Sequence, residues 1–244
     1  MALREELERE GNWLFRWRSY LPLLTAAIIL FALRHPVPCL FNSHPNRLWD
    51  FFCLAISLSG LLLRVFTVGS TPKGTSGRNT AGQRADSLNT RGIYSLVRHP
   101  LYLSNFFIWF GISLSIRSAW FAIVAILIFW LYYERIMFAE EEFLRQKFGK
   151  EFMDWAQKIP AFIPRFGNWT PSKNKIDFKT ALAGEYQGFF AIITTFAILG
   201  ILEAGMKGNF KIDALWAGLF ISSLIFYFTV RYLKKKSSFF EKKS

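Results

Sequence analysis

The sequence predicts an all-α fold, a polytopic helical membrane protein with about six transmembrane helices and a cytoplasmic amphipathic helix. Two observations carry this prediction. The 244 residues are 52% hydrophobic and 18% aromatic, which is more than the core of a soluble domain of this size needs. The 30 lysine and arginine residues also follow the bias that sets the orientation of membrane proteins, because nearly all of them fall on one side of the predicted helices.

Crossing a hydrocarbon layer of about 30 Å takes about 20 mostly apolar residues, and several windows reach or approach that length. The clearest are 48–69, 101–116, 119–138, 188–205 and 214–232. An earlier window, 20–33, is short. The aromatic rings of Trp13 and Trp17 and the long side chains of Arg16 and Arg18 could extend it at the membrane interface.

These windows divide the chain into three predicted parts. Residues 1–47 form an N-terminal interfacial segment and the first span, and residues 48–167 form a core with three spans, a polar loop and the amphipathic helix. Residues 168–244 form a C-terminal pair of spans and a basic tail.

The loops between six spans place most of the basic residues on one side. The other side receives only Arg34, Arg47, Arg117, Lys207 and Lys211. Because cytoplasmic loops retain positive charge, we expect both termini in the cytoplasm, in an inner membrane if the source is bacterial or the endoplasmic reticulum if it is eukaryotic. The net charge of +13 is better explained by membrane topology and by attraction to anionic lipid headgroups than by nucleic-acid binding, for which no recognition motif is visible.

The tripeptide Arg-His-Pro occurs twice, and the predicted topology separates the copies. Arg34-His35-Pro36 falls on the poorly charged side, where Pro36 and Pro38 suit the end of a span and a turn, and His44 lies in the same loop. Arg98-His99-Pro100 follows a glycine-rich polar loop and precedes the third span. Pro100 suits the first helical position. From these neighbouring residues alone, the N-terminus of this helix is either an anion-binding site or simply a helix end at the membrane interface, and both interpretations remain open.

Three glutamates lie together near the end of the fourth span. Glu140, Glu141 and Glu142 follow a long apolar run, and carboxylates at that depth are costly unless they are paired or functional. We expect Glu142 to lie at a solvated helix end. After them an apolar residue recurs at helical spacing up to Ile159 and predicts one amphipathic helix along the membrane surface, ended by Pro160 and Pro164.

These motifs together resemble the integral-membrane methyltransferases typified by isoprenylcysteine carboxyl methyltransferase, with phospholipid methyltransferases as relatives. The family pattern is G-x-Y-x-x-x-R-H-P-x-Y-x-G, followed by E-E-x-x-L-x-x-x-F-G-x-x-Y/F and a closing proline. The matching residues are Gly92, Tyr94, Arg98, His99, Pro100, Tyr102, Glu140, Glu141, Leu144, Phe148, Gly149, Phe152 and Pro164. Ser104 stands where the family usually has glycine, which puts the detailed shape of the cofactor pocket in doubt.

The resemblance implies methyl transfer from S-adenosylmethionine to a lipid or lipidated acceptor in the membrane. It places the cofactor against one group of residues: Tyr94, Arg98, His99, Pro100, Tyr102, Ser104, Glu140 and Glu141. Among these, Glu140, Glu141 and Arg98 are the candidate catalytic residues. Neighbouring side chains on a helix point about 100° apart, so we expect the two glutamates to have different partners, one bracing the site through a nearby arginine.

The acceptor stays open at this stage. A prenylated cysteine carboxylate suits the family, and bacterial relatives that resemble lipid A 1-phosphate methyltransferase act on a lipid phosphate. An anionic oxygen needs no strong base in a dry site, whereas an amine would need one, for which Glu141 is the candidate. Two further alternatives are a sterol-type reductase that uses a nicotinamide cofactor and a membrane transporter. The two cysteines, Cys39 and Cys53, have no metal-site spacing, and the sequence leaves the oligomeric state open.

Overall fold

The computed structural model describes residues 2–18, 20, 47–72, 83, 85–172, 176–206, 208 and 213–236. Its described residues form seven α-helices. They are α1 (Leu3–Trp17), α2 (Arg47–Ser70), α3 (Pro100–Ser115), α4 (Ala119–Phe148), α5 (Lys150–Ala156), α6 (Phe178–Met206) and α7 (Ala214–Lys236). The remainder of the predicted first span after Tyr20, the turn Arg34-His35-Pro36, His44 and the end of the basic tail lie outside the described residues.

Helices α2, α4, α6 and α7 are long and apolar enough to cross a membrane. Helix α3 corresponds to the predicted third span, but its 16 residues fall short of the roughly 20 that a full crossing takes. The all-helical membrane fold is therefore confirmed, and the number of spans stays approximate. Helices α4 and α6 are longer than the predicted apolar windows, because polar residues extend α4 to Phe148 and begin α6 at Phe178.

Helix α2 lies at the centre of the described helices and packs against α3 and α6, while α7 packs against α6. An apolar core between α2, α3 and α6 holds them together. Its buried members are Cys53, Leu54, Leu61, Ile112, Ile192, Ile193 and Phe196. Helix α1 packs along α4, where Phe15 joins a second core with Phe129, Tyr133 and Ile136.

The predicted amphipathic helix is broken into two pieces. Leu144 and Phe148 belong to the long helix α4, and the chain then turns at Gly149, whose φ of 54° lies in the left-handed region that glycine adopts without strain. Helix α5 resumes after this turn and buries Phe152. Apolar spacing alone gave no sign of the break, because it continues in phase across the turn.

Candidate active site

The Arg98-His99-Pro100 turn is held in place by the segment that follows α5. The backbone N–H of Arg98 donates to the carbonyl of Pro160 at 2.9 Å, and that of His99 donates to Ala161 at 3.2 Å. The Arg98 side chain also donates through Nη1 to the carbonyl of Ala156 at 3.0 Å. The residues after α5 therefore do more than end a helix, because their carbonyl groups fix the turn that begins α3 at Pro100.

Glu141 joins the two motifs that the sequence places far apart. His99 Nε2 lies 2.8 Å from Glu141 Oε1 in a hydrogen bond. Arg98 Nε lies 3.0 Å from the same oxygen, close enough for an ion pair but without the geometry of a hydrogen bond. Glu140 approaches the other nitrogen of the imidazole, with Oε2 at 3.6 Å from His99 Nδ1. The two neighbouring glutamates thus meet one histidine from different sides.

This cluster keeps His99 protonated. Burial alone would lower the pKa of the imidazole, but the hydrogen bonds and negative charges of Glu140 and Glu141 outweigh it and raise the pKa of His99 to about 9. At neutral pH the imidazole therefore carries a positive charge. Nearby, burial and the charge of Glu140 raise the pKa of the Tyr94 phenol far above its ordinary value, so this side chain stays a neutral hydrogen-bond donor.

A cavity of about 400 Å³ opens beside the cluster. Seven of the eight candidate cofactor-binding residues line it: Tyr94, Arg98, His99, Pro100, Tyr102, Glu140 and Glu141. The remaining wall includes the polar segment near Asn89 and the aromatic rings of Phe152 and Trp155. Its volume lies within the range of ordinary small-molecule sites.

Ser104, the eighth candidate cofactor-binding residue, does not line this cavity. Its side chain is fully buried, and its hydroxyl donates to the carbonyl of Pro100 at 2.7 Å. Its own carbonyl oxygen lies against Gly60, where a Cβ would come within 2.5 Å. Ser104 therefore lies in the contact between α2 and α3.

The N-terminal helix forms another wall of the cavity, which the sequence did not predict. Phe15 and Arg18 line the cavity, and the Arg18 guanidinium lies 4.0 Å above the Phe15 ring. Glu142, expected at a solvated helix end, is instead only 6% exposed and pairs with Arg4 of α1. That expectation was wrong because α1 packs over this face of α4, which no apolar run in the sequence indicates.

A second polar group lines the cavity away from the Arg-His-Pro turn. Arg64 of α2, Asn105 of α3 and Tyr133 of α4 all contribute to the wall. Arg64 Nη1 donates to Asn105 Oδ1 at 2.7 Å, and Asn105 Nδ2 donates to the Tyr133 hydroxyl at 3.1 Å. A single arginine inside an apolar window was the sequence signal for this group.

The wall contains chemistry that fits S-adenosylmethionine, a cofactor with an amino-acid end, an aromatic base and a sulfonium. Charges of both signs suit its carboxylate and ammonium, and the aromatic side chains suit the base. Trp155 Nε1 is a buried donor without a hydrogen-bond partner among the described residues, and such donors usually have one. The described residues contain no group of three or more His, Cys, Asp or Glu that could hold a metal ion.

The fold and the site together define a helical integral membrane protein with an open, charged cavity built on two motifs. Residues 51–151 match the family described as phospholipid methyltransferase. The chain is 36% identical over 113 residues to the nickel-cobalt-cadmium resistance protein NccN of Alcaligenes xylosoxydans xylosoxydans, which covers 44% of this chain and 52% of that protein.

Two isoprenylcysteine enzymes are also similar. Protein-S-isoprenylcysteine O-methyltransferase B of Arabidopsis thaliana is 37% identical over 79 residues, covering 32% of this chain and 39% of that protein. The Schizosaccharomyces pombe protein-S-isoprenylcysteine O-methyltransferase is 27% identical over 143 residues, covering 57% and 58%. No solved structure matches the chain.

Residues 51–151 of this chain are therefore similar to membrane methyltransferases of the phospholipid and isoprenylcysteine type. The chain spans between about two fifths and three fifths of the length of the relatives described above. Helices α1, α6 and α7 lie outside the segment that matches the family.

Proposed function

We propose that the protein is a membrane methyltransferase that uses S-adenosylmethionine and methylates an anionic oxygen, a carboxylate or a phosphate, of a lipid or lipidated acceptor. The observation that carries the proposal is the meeting of the two family motifs at one cavity, where Glu141 pairs with both Arg98 and His99. The reaction class comes from the relatives, and the geometry supplies a site that suits it.

S-adenosylmethionine, when bound, supplies an electrophilic methyl group on a sulfonium. Glu140 is the better candidate for holding its ammonium or ribose, because the Glu140 side chain is 30% exposed and lines the cavity. Glu141 braces the turn, since one of its oxygens already meets Arg98 and His99. Arg98, with further N–H donors, would bind the carboxylate end.

The chain's own residues would act mainly by positioning and by excluding water. An anionic oxygen attacking a sulfonium methyl loses charge separation, so a site of low dielectric favours the transition state over the solvated ground state. The aromatic wall, including Tyr102 and Phe152, supplies such surroundings. The rest of the rate enhancement would come from holding the nucleophile in line with the methyl group.

The distribution of basic residues supports a cytoplasmic position for this site and for both termini. Helix α4 ends in the basic residues Arg145 and Lys147 close to the glutamate pair, and the cavity lies near that end. The cofactor would then enter from the cytosol and the acceptor from the bilayer.

Methylation of a phospholipid amine is a second candidate, because the description of the matching family names phospholipids. An amine acceptor has to lose a proton. Glu141 was the sequence candidate for that base, but its oxygen Oε1 already contacts both Arg98 and His99, so this oxygen is not available to take the proton. The structure therefore favours an anionic acceptor.

Binding of labelled S-adenosylmethionine to the purified protein tests the proposal. We expect His99→Ala and Glu141→Gln to weaken binding at least tenfold, and Glu151→Gln, at an exposed position of α5, to leave it unchanged. Incubation of the wild-type protein with labelled cofactor and total membrane lipids would identify the acceptor. Undiminished binding in both site variants would refute the site, and absence of any methylated species would refute the activity.

A further inference from the structure

We propose that Arg64, held by Glu185 of the C-terminal helix pair, binds the anionic group to which the methyl is transferred. This inference rests on the proposed function and deepens it, because it assigns the acceptor's headgroup to a defined part of the cavity. It also gives helix α6, which lies outside the segment matching the family, a part in the site.

Arg64 and Glu185 form an ion pair between α2 and α6. Arg64 Nε donates to Glu185 Oε2 at 2.9 Å, and Nη2 lies 3.4 Å from Oε1. Glu185 is only 5% exposed and does not line the cavity, whereas Arg64 does. The carboxylate therefore lies behind the guanidinium, and a ligand in the cavity meets the arginine.

The Arg64 guanidinium has N–H donors that its protein partners do not use. Its hydrogen bonds to Glu185 and Asn105 use three of the five N–H groups that an arginine carries. Among the described residues, two N–H groups remain without an acceptor. The Arg64 side chain is 23% exposed, so the guanidinium is accessible from the cavity and is also fixed by its partners.

The directions of these hydrogen bonds leave hydrogen-bond donors of Arg64 and Tyr133 facing the cavity, and we call this part of the wall the donor surface. Arginine can only donate, so Asn105 must turn its Oδ1 toward Arg64 and its Nδ2 toward Tyr133. The Tyr133 oxygen accepts that bond, which leaves its own hydrogen free to donate. Arg64 and Tyr133 thus both offer donors to the cavity.

A donor surface discriminates between the acceptor classes. A carboxylate or phosphate only accepts hydrogen bonds and suits this wall, whereas an ammonium only donates and would be left unpaired. Arg64 also lies six residues before the end of α2 at Ser70, or about 9 Å along the helix axis. That depth suits a lipid headgroup better than a lipid tail.

Steady-state kinetics on the full-length protein in mixed micelles tests the proposal. The acceptors are an S-farnesylcysteine with a free carboxylate, phosphatidic acid and phosphatidylethanolamine, together with a total membrane extract. The variants are Arg64→Gln, Arg64→Lys and Glu185→Gln. Arg47→Gln is the matched control, because Arg47 also joins α2 to the C-terminal helix pair, through Asp213 at 3.1 Å, but does not line the cavity.

We expect Arg64→Gln to raise the acceptor KM at least tenfold while the affinity for labelled S-adenosylmethionine changes less than twofold. Arg64→Lys should recover part of the loss because it keeps the charge, and Glu185→Gln should raise the KM severalfold. The control should match the wild type. Unchanged cofactor binding also shows that each variant is folded, and the probe that is methylated tells a carboxylate from a phosphate acceptor.

Three results would overturn the inference. In the first, Arg64→Gln leaves the acceptor KM unchanged. In the second, both arginine variants lose cofactor binding as much as acceptor binding, which would make the ion pair merely structural. In the third, the methylated species is the amine of phosphatidylethanolamine. A wild-type protein that methylates nothing in the extract would refute the proposed function itself, and the inference with it.

Discussion

His99 of the turn before α3 and Glu141 of α4 share a hydrogen bond of 2.8 Å, although 42 positions separate them in the chain. The same carboxylate oxygen also pairs with Arg98. Two motifs that the sequence displays separately are thus one charged group in the folded protein. The cluster stabilises the start of α3 as well as the wall of the cavity.

The stability of the protein should depend on pH through His99. Folding raises the pKa of this histidine from 6.5 to about 9, so its stabilising contribution is complete below about pH 6.5 and is lost as the pH rises through 9. The shift corresponds to about 3 kcal/mol. Thermal unfolding of the detergent-solubilised protein between pH 7 and 10 measures it.

The matched variant for this measurement is His99→Asn, which cannot take up the proton. We expect the melting temperature of the wild type to fall with rising pH by more than that of the variant. Parallel pH profiles for the two proteins would contradict a protonated His99.

The packing of α1 on α4 should control the cavity. A methyl group added at Gly11 would lie 2.1 Å from the carbonyl oxygen of Arg135 and 2.7 Å from Cβ of Ala139, so Gly11→Ala must push α1 away from α4. Phe15 and Arg18 line the cavity and would move with the helix. We expect a lower melting temperature and at least fivefold weaker binding of S-adenosylmethionine.

Gly218→Ala is the control for this prediction, because Gly218 lies in α7 with nothing near its missing Cβ. Alanine favours a helix interior by about 1 kcal/mol over glycine, so the control should keep or increase stability. If Gly11→Ala binds the cofactor with wild-type affinity, then the packing of α1 does not contribute to cofactor binding.

Ser104→Gly, which restores the residue usual in the family, should leave the cofactor site intact. Ser104 contacts Pro100 and Gly60 and not the cavity. Glycine in a helix interior costs about 0.5–1 kcal/mol relative to alanine. We therefore expect a small loss of stability and a cofactor affinity within twofold of the wild type. A change of fivefold or more would place Ser104 in the pocket after all.

The sequence predicted the long helices because a long apolar run in a membrane has few alternatives to an α-helix. The family pattern also picked out residues that the fold brings together around the His99 and Glu141 pair. The sequence did not predict the packing of α1, because a short amphipathic helix can lie on lipid or on protein with the same spacing. Nor did it predict a partner for Arg64, since Glu185 lies in a helix whose sequence shows no marked apolar face.

Trp155 gives the sharpest test of where the cofactor binds. Its Nε1 is buried without a hydrogen-bond partner among the described residues, and the side chain lines the cavity. A buried donor without a partner costs about 1–3 kcal/mol. Trp155→Phe removes the donor, so the stability of the protein without cofactor should increase, or decrease only by the packing energy that the smaller phenyl ring loses. Binding of S-adenosylmethionine should weaken about five- to tenfold, because the bound cofactor would lose a hydrogen bond.

Trp130→Phe controls for the loss of an indole, since Trp130 is exposed on α4 and does not line the cavity. Thermal unfolding with and without saturating cofactor separates the two effects. The stabilisation that the cofactor gives should shrink in Trp155→Phe and persist in Trp130→Phe. Equal stabilisation in both variants would mean that the bound cofactor does not contact the Trp155 indole.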